Sequence, residues 1–444
     1  MGSGELPIEE RPRAPAPQVS ARYYGRRRDA TICLLLGILA FVVYNANLRA
    51  ISAADTYAAR YLPFSIWRHH TLALDPIATS VAQGRTVPDT APWIVKGRGD
   101  HLVSLYPVVV PVVLAPLYRP VLAWLDRKGA EPLEIDSVAR VMEKLCASLL
   151  AAVSVVLVYL LLLRRRSDPV TAALLTLVFA FGTTTWVIGS QALWMHGLGE
   201  LAIAAVLLLL TGPCTPLRAA AAGFLCALVA CNRQPDAVLA AGLGLYGLWW
   251  AGRRAPLFLA ASALPVVLLL AYNVGVVGHV VGAYALAFKP RFIRGDLLEG
   301  LAGLLFSPTH GLFVFSPFLL AVPLCLPLVL RDRGTRALTA AIGGAVVVQL
   351  IAYGVVDWRQ ACRSDPDGSP TCCRCFSGCF RRLSPDCRSR AASYLAPPAA
   401  LPWRSRWWEP SGTRACPMPP SWPRRAQTRC GPHGTFATLH SSLN

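Results

Sequence analysis

Charge is what this chain has least of. Only 15% of its 444 residues are Asp, Glu, Lys or Arg, while 54% are apolar; soluble domains carry roughly a quarter charged. Such a chain does not fold as an ordinary soluble domain. Acids are scarcer still, 24 against 43 basic residues, for a net charge of +19. That excess would suit a nucleic-acid binder, but the cations stand in short clusters between apolar runs, as membrane topology requires. Convincing internal repeats are lacking too. Fourteen cysteines look like a disulfide or zinc framework until they are mapped. Eight lie in the last 86 residues, and the other six are scattered singly through apolar stretches.

What is present is a series of apolar runs, at about 31–49, 138–163, 169–189, 197–211, 216–231, 236–251, 255–277, 310–330 and 337–356. A lone strand in hydrocarbon leaves its backbone unsatisfied, so each run reads as a helix. The expected fold class is all-α: a polytopic membrane bundle of about nine helices. Residues 1–30 end in Tyr23-Tyr24-Gly25-Arg26-Arg27-Arg28. They are too polar and basic for a cleaved signal and read as a cytoplasmic tail. With nine crossings, Arg26–Arg28, Arg164–Arg166, Arg218, Arg253 with Arg254, and Arg331, Arg333 with Arg336 all fall inside. This places the protein in the plasma (inner) membrane with its N-terminus cytoplasmic. The scheme requires the apolar segment 102–125 not to cross. Its Pro107, Pro111, Pro116 and Pro120 fit an interfacial position over the bundle mouth. Residues 50–137 and 278–309 are then long outer loops, where chemistry is expected.

The first outer loop opens with Asp55, within two helical turns of the first apolar run. Residues Arg60 to Asp75 form a short amphipathic stretch suited to the interface. A partly desolvated carboxylate there is a better base, or a ligand for a divalent cation. Spacing alone favours the plainer reading, a carboxylate neutralised by Arg60 or Arg49. Further on, His196 and Glu200 stand at i, i+4 and share a helical face. They would orient a hydroxyl substrate or a metal, or simply satisfy each other. Arg233 occupies an outer turn, and Lys289, Arg291 and Arg294 form a cationic group on the side where cations are normally avoided. An anionic lipid phosphate explains such placement. General contact with anionic headgroups explains it equally well for Arg294, and less well for Arg233.

Over roughly residues 30–358 this pattern resembles the membrane-embedded GT-C fold glycosyltransferases, the superfamily of protein O-mannosyltransferases and aminoarabinose transferases. The resemblance rests on Asp55, on Ser104-Leu105-Tyr106-Pro107, on Leu193-Trp194-Met195-His196-Gly197 and on Asn232-Arg233-Gln234-Pro235. Gly311-Leu312-Phe313-Val314-Phe315-Ser316-Pro317, opening the eighth helix, completes it. It implies transfer of a sugar from a polyprenyl-phosphate donor to a hydroxyl on the outer face. Asp55 would deprotonate the acceptor, while Arg233, Lys289 and Arg291 would neutralise the leaving phosphate. Many relatives carry a second acid in the next outer loop; here His196 and Glu200 are the candidates for substrate binding. A Gly-Pro-Arg motif expected after Asp357-Trp358 is lacking.

From Arg359 the composition changes abruptly: 13 Arg, no Lys, 12 Pro and 8 Cys in 86 residues. Cys372, Cys373, Cys375 and Cys379 are crowded but have no matching second pair, against a zinc module. Codons allowed for Cys362 through Phe376, read one base out of frame, permit Ser-Phe-Gly-Pro-Arg-Trp followed by an apolar start. The region 359–444 therefore reads as a disordered, out-of-frame tail, and a chain so altered would lack part of its active site. The alternative to a glycosyltransferase is a multi-pass lipid or solute transporter with Asp55, His196 and Glu200 along its path. Transporters usually show repeats and polar groups at the midplane; here the polar groups sit at helix ends.

Overall fold

Prolines and short polar caps set where the helices begin. The computed structural model describes residues 23–77, 93–165, 167–287, 296–308 and 311–355, all within one unit, Met1–Ser369. Helix α1 spans Tyr23–Asn45 and α2 Ala54–His69. A two-stranded antiparallel hairpin follows, β1 (Ile94–Lys96) and β2 (Leu102–Ser104), with Val95 opposite Val103. Then come α3 (Val109–Lys128), α4 (Pro132–Arg164) and α5 (Pro169–Gly182). A π-helical turn, Thr185–Gly189, leads to α6 (Met195–Leu210), α7 (Pro216–Asn232), α8 (Ala237–Ala251) and α9 (Ala255–Tyr272). A second π turn, Asn273–Val277, closes α9. Beyond it lie α10 (Tyr284–Ala287), α11 (Leu297–Phe306), α12 (Leu312–Phe315), α13 (Ala321–Arg331) and α14 (Arg336–Gly354).

The local chemistry is regular. Pro132, Pro169 and Pro216 occupy the first turns of α4, α5 and α7, where a missing N–H costs nothing. The Asp168 carboxylate accepts from the Val170 and Thr171 amides, and the Thr215 hydroxyl accepts from Arg218 N–H, so α5 and α7 start with capped donors. Gly129 ends α3 in the left-handed conformation that lacks a Cβ penalty.

Among the described residues the protein is helical apart from that one hairpin and its connections, the architecture of a helical membrane protein. Five segments are long and apolar enough to cross a membrane: Arg28–Asn45, Val109–Lys128, Glu134–Arg164, Gln234–Val277 and Arg336–Gly354. The apolar runs from α5 to α7 form helices of 14, 16 and 17 residues. The segment 102–125, expected to be kept from crossing by its prolines, begins as β2 and then forms the continuous α3, one of those five. Pro111 lies in its first turn, and Pro116 and Pro120, four apart, put both ring disturbances on one exposed face. The stretch 60–75, expected to be amphipathic, is buried from Arg60 to Ser65 in α2, while His69 and His70 beyond are exposed. The expected eighth helix is broken into α12, a 3-10 turn at Pro317–Leu320, and α13.

Small residues carry the closest helix contacts, as expected where hydrophobicity alone gives no drive to associate. Ala151, Ala152, Ala172 and Ala180 join Leu36 and Tyr44 between α1, α4 and α5. Ala219, Ala222 and Cys226 do the same with Leu243 and Phe258 between α7, α8 and α9. At Gly223 a Cβ would run into the carbonyl oxygen of Phe258.

Short connections link α6, α7, α8 and α9 in turn, and their polar residues sort to two ends. One end gathers cations: Arg164 donates to the Leu208 carbonyl, Arg218 to Pro213 O (3.2 Å) and Arg254 to Cys214 O (2.7 Å). The other end holds Asp55, His196 and Arg233, at the starts of α2 and α6 and in the α7–α8 turn.

Gly223→Val is expected to force α7 from α9 and cost about 1–3 kcal/mol. Gly244→Ala, with open space around it, is expected to be neutral. Thermal unfolding in detergent, compared for the two variants, checks this; equal midpoints would contradict the close α7–α9 contact.

Candidate functional site at one end of the bundle

Asp55 stands in the first turn of α2 and is half-buried. Its carboxylate takes no hydrogen bond or ion pair among the described residues. The plainer sequence reading, neutralisation by Arg60 or Arg49, is therefore not what the structure contains. Arg60 pairs with Glu143 of α4 at 2.6 Å, and both side chains are buried. Arg49 is exposed, and its backbone amide, not its guanidinium, contacts Asn47.

Around Asp55 gather groups from four other parts of the chain. The Tyr106 hydroxyl, after β2, is pushed up to about 12 by burial and then by the Asp55 charge. Tyr284 of α10 is displaced upward by burial first, then by Tyr106 and Asp55, with Arg233 acting in the opposite sense. The Tyr106 and Tyr284 rings meet edge to face at 5.8 Å. His196, at the start of α6, lies in the fields of Arg233, Asp236 and Asp55. The sequence candidates Asp55, His196 and Arg233 thus converge.

Arg233 is held in the turn between α7 and α8. Its Nη1 donates to Asp236 Oδ1 (2.7 Å) and to the Tyr353 hydroxyl (2.9 Å), and Gln349 donates to the same Asp236 oxygen at 3.3 Å. Burial alone would lower the Arg233 affinity for its proton; Asp236 and Tyr353 hold it above the usual value. Its Nε and Nη2 have no partner among the described residues. The guanidinium is thus fixed at one nitrogen and keeps free donors, the geometry of a prepared anion contact. Asn232, one residue earlier, donates to the Met195 carbonyl at 2.7 Å and ties this turn to the start of α6.

Glu200 does not join them. Although i, i+4 from His196, it accepts from the Thr185 hydroxyl at 3.0 Å, and its carboxylate packs beside Gly189 in the π turn. The expected His196–Glu200 pair is not formed. Lys289, Arg291 and Arg294 lie outside the described residues, as does the tail 359–444.

A second polar group, which the sequence reading missed, sits beside the first. Glu143 Oε2 accepts from Arg60 Nε (2.6 Å) and from Ser52 Oγ (2.9 Å), and Arg60 Nη2 donates to Ser52 Oγ (2.6 Å). Lys144, 5% exposed, donates to Gln191 Oε1 at 2.7 Å, as does Asn47 at 2.8 Å. The signal was present: Glu143 and Lys144 lie inside the run read as apolar, 138–163, and ionisable residues there are rare without a role. Tyr284, Gln349 and Tyr353 gave no such signal, because only the fold brings them near Arg233, whereas Asp236 is its i, i+3 neighbour. Among the described residues, three or more His, Cys, Asp or Glu never come together as a metal site would require.

Two carboxylates, an imidazole, a tethered guanidinium and three phenols at one place can accept a proton, grip an anion and hydrogen-bond a polyol. No known protein family, curated protein or solved structure matches the chain.

Because the Asp55 charge disfavours a neighbouring phenolate, Asp55→Asn is expected to lower the Tyr106 titration while burial still keeps it above an ordinary tyrosine. Fluorotyrosine placed at position 106 and followed by 19F NMR against pH reads this. An unmoved midpoint would separate Asp55 from Tyr106.

Proposed function

We propose that the chain is a glycosyltransferase of the outer membrane face, taking a sugar from a polyprenyl-phosphate donor and passing it to a hydroxyl acceptor. The convergence of Asp55, His196 and Arg233 at the end opposite the Arg164–Arg218–Arg254 group carries this reading. On it the apolar runs make nine crossings, and by the positive-inside rule the arginine end and the N-terminus face the cytoplasm of the plasma membrane. Helix α4, at 33 residues about 50 Å long, exceeds a ~30 Å hydrocarbon core. Counted back from Arg164, about 20 residues reach Leu145, so Glu143 and Lys144 stand at the outer interface. The prolines and the hairpin before α3 then suit an outer position for that helix, above the bundle mouth.

The chemistry follows from charge development. Asp55, free of a cationic partner, takes the acceptor hydroxyl proton as its oxygen attacks the anomeric carbon. The bond from that carbon to the phosphate oxygen breaks, and the phosphate leaves with the electron pair. Negative charge grows there, so the free donors of Arg233 stabilise the transition state more than the ground state. Lys289 and Arg291 complete the anion contact on this reading. His196 and the Tyr106 and Tyr284 hydroxyls offer hydrogen bonds to a sugar. A polar cluster at helix ends, rather than at the midplane, favours surface transfer over transport.

The test is transfer of labelled sugar from lipid donor in membranes. Asp55→Asn is expected to reduce transfer about 10²-fold or more, the usual worth of a general base. Arg233→Gln is expected to weaken donor use as well as turnover. Undiminished transfer by Asp55→Asn would remove Asp55 as the base.

A further inference from the structure

The arginine end of the bundle is built around one short loop, residues 211–215, between α6 and α7. Three arginines from separate parts of the chain meet there: Arg164 ends α4, Arg218 stands in the first turn of α7, and Arg254 precedes α9. Each is pinned by one nitrogen to a backbone carbonyl of the loop or of the α6 turn leading into it. Arg164 Nη1 donates to Leu208 O, Arg218 Nη1 to Pro213 O (3.2 Å) and Arg254 Nη1 to Cys214 O (2.7 Å). Gly212 lets two of them come together. A Cβ there would collide with Arg218 Nη1 and stand 3.0 Å from Arg164 Nη1. Like charges brought to one point oppose each other, and no carboxylate relieves them, for none of the three forms an ion pair among the described residues. Asp168, four residues after Arg164, accepts from the Val170 and Thr171 amides instead. A guanidinium carries five N–H donors, and the other nitrogens of all three have no partner among the described residues. The carbonyls therefore orient three forks without neutralising them.

Depth in the membrane identifies the anion. Trp250, near the end of α8, donates through Nε1 to the Gly212 carbonyl at 3.1 Å, and its neighbour Trp249 is largely exposed. Tryptophans so placed mark headgroup level in a membrane protein. Leu217, beside Arg218, is largely exposed as well, where an acyl chain would meet it. We propose that Arg164, Arg218 and Arg254 form a binding site for the phosphate of an anionic phospholipid, held against the 211–215 loop at the end of the bundle opposite Asp55. The phosphate neutralises charges that α4, α7 and the α8–α9 turn bring together, and so ties three helices at one end. The site owes nothing to the sugar-transfer reading and stands apart from the Arg233 cluster. It also differs from general attraction between a basic surface and an anionic leaflet. That attraction needs charge alone, whereas a cradle of forks needs arginine, because lysine offers only a point charge.

The experiment places full-length protein in phosphatidylcholine vesicles holding a small fraction of phosphatidylglycerol with a photoactivatable headgroup, and maps the adducts by mass spectrometry. Adducts are expected within residues 208–218. The double variant Arg164→Lys with Arg218→Lys keeps the charge and is expected to cut that labelling several-fold. Arg333→Gln, which removes a charge between α13 and α14, is expected to label at the wild-type level. Unlabelled phosphatidylglycerol is expected to compete, and millimolar inorganic phosphate is not. No adduct in that region of the wild type, undiminished labelling in the double variant, an equal loss in Arg333→Gln, or displacement by inorganic phosphate would each overturn the proposal. If the double variant does not accumulate, Gly212→Ala decides, since its methyl displaces the Arg218 guanidinium and crowds that of Arg164 at unchanged charge. A several-fold loss of labelling then supports the site, and wild-type labelling contradicts it.

Discussion

Hydrocarbon offers a charge no water, and that constraint arranges everything else in the protein. Apolar helices that reverse at each short turn must export their polar residues to the two ends. Arginines with carbonyl partners collect at one end. At the other, residues as far apart in sequence as Asp55, Tyr106, His196, Arg233 and Tyr353 meet, because each stands at or beyond a helix terminus. The cluster is thus a consequence of topology before it is a consequence of chemistry.

Within that end the ion pairs divide the labour. Glu143 takes Arg60, and Asp236 takes one nitrogen of Arg233. Asp55 is left without a cation and Arg233 with free donors. Removing one partner of a buried pair such as Arg60–Glu143 typically costs about 3–5 kcal/mol, whereas Arg233–Asp236 is only partly buried. On the proposed function, that division leaves Asp55 to act as the base and Arg233 to hold the donor phosphate within the same small space.

Much of this was legible in the sequence. Apolar runs gave the helical character and four of the five segments long and apolar enough to cross a membrane, because length and composition carry that information directly. Asp55, His196 and Arg233 were legible as polar residues beside helix ends. Glu200 misled, since i, i+4 spacing fixes a shared face but not the partner: the π turn at Thr185–Gly189 supplies Thr185 first. The neutral fate foreseen for Asp55 failed for a related reason. Arg60 had a competitor, Glu143, that no local spacing reveals. The prolines of α3 do not end its helix, for a Pro pair four residues apart bends one face only. Tyr284 and Tyr353 were invisible, as nothing local distinguishes a site tyrosine from an interfacial one.

The account stands on the two ends facing opposite sides of a membrane, with the cluster outside. Single cysteines at Arg98, on the hairpin that packs against the π turn closing α9, and at Arg253, at the arginine end, in a chain cleared of its own cysteines, test it with a membrane-impermeant maleimide. The account predicts labelling of the first in intact cells and of the second only after lysis. Labelling of position 253 in intact cells, with position 98 protected, would contradict it.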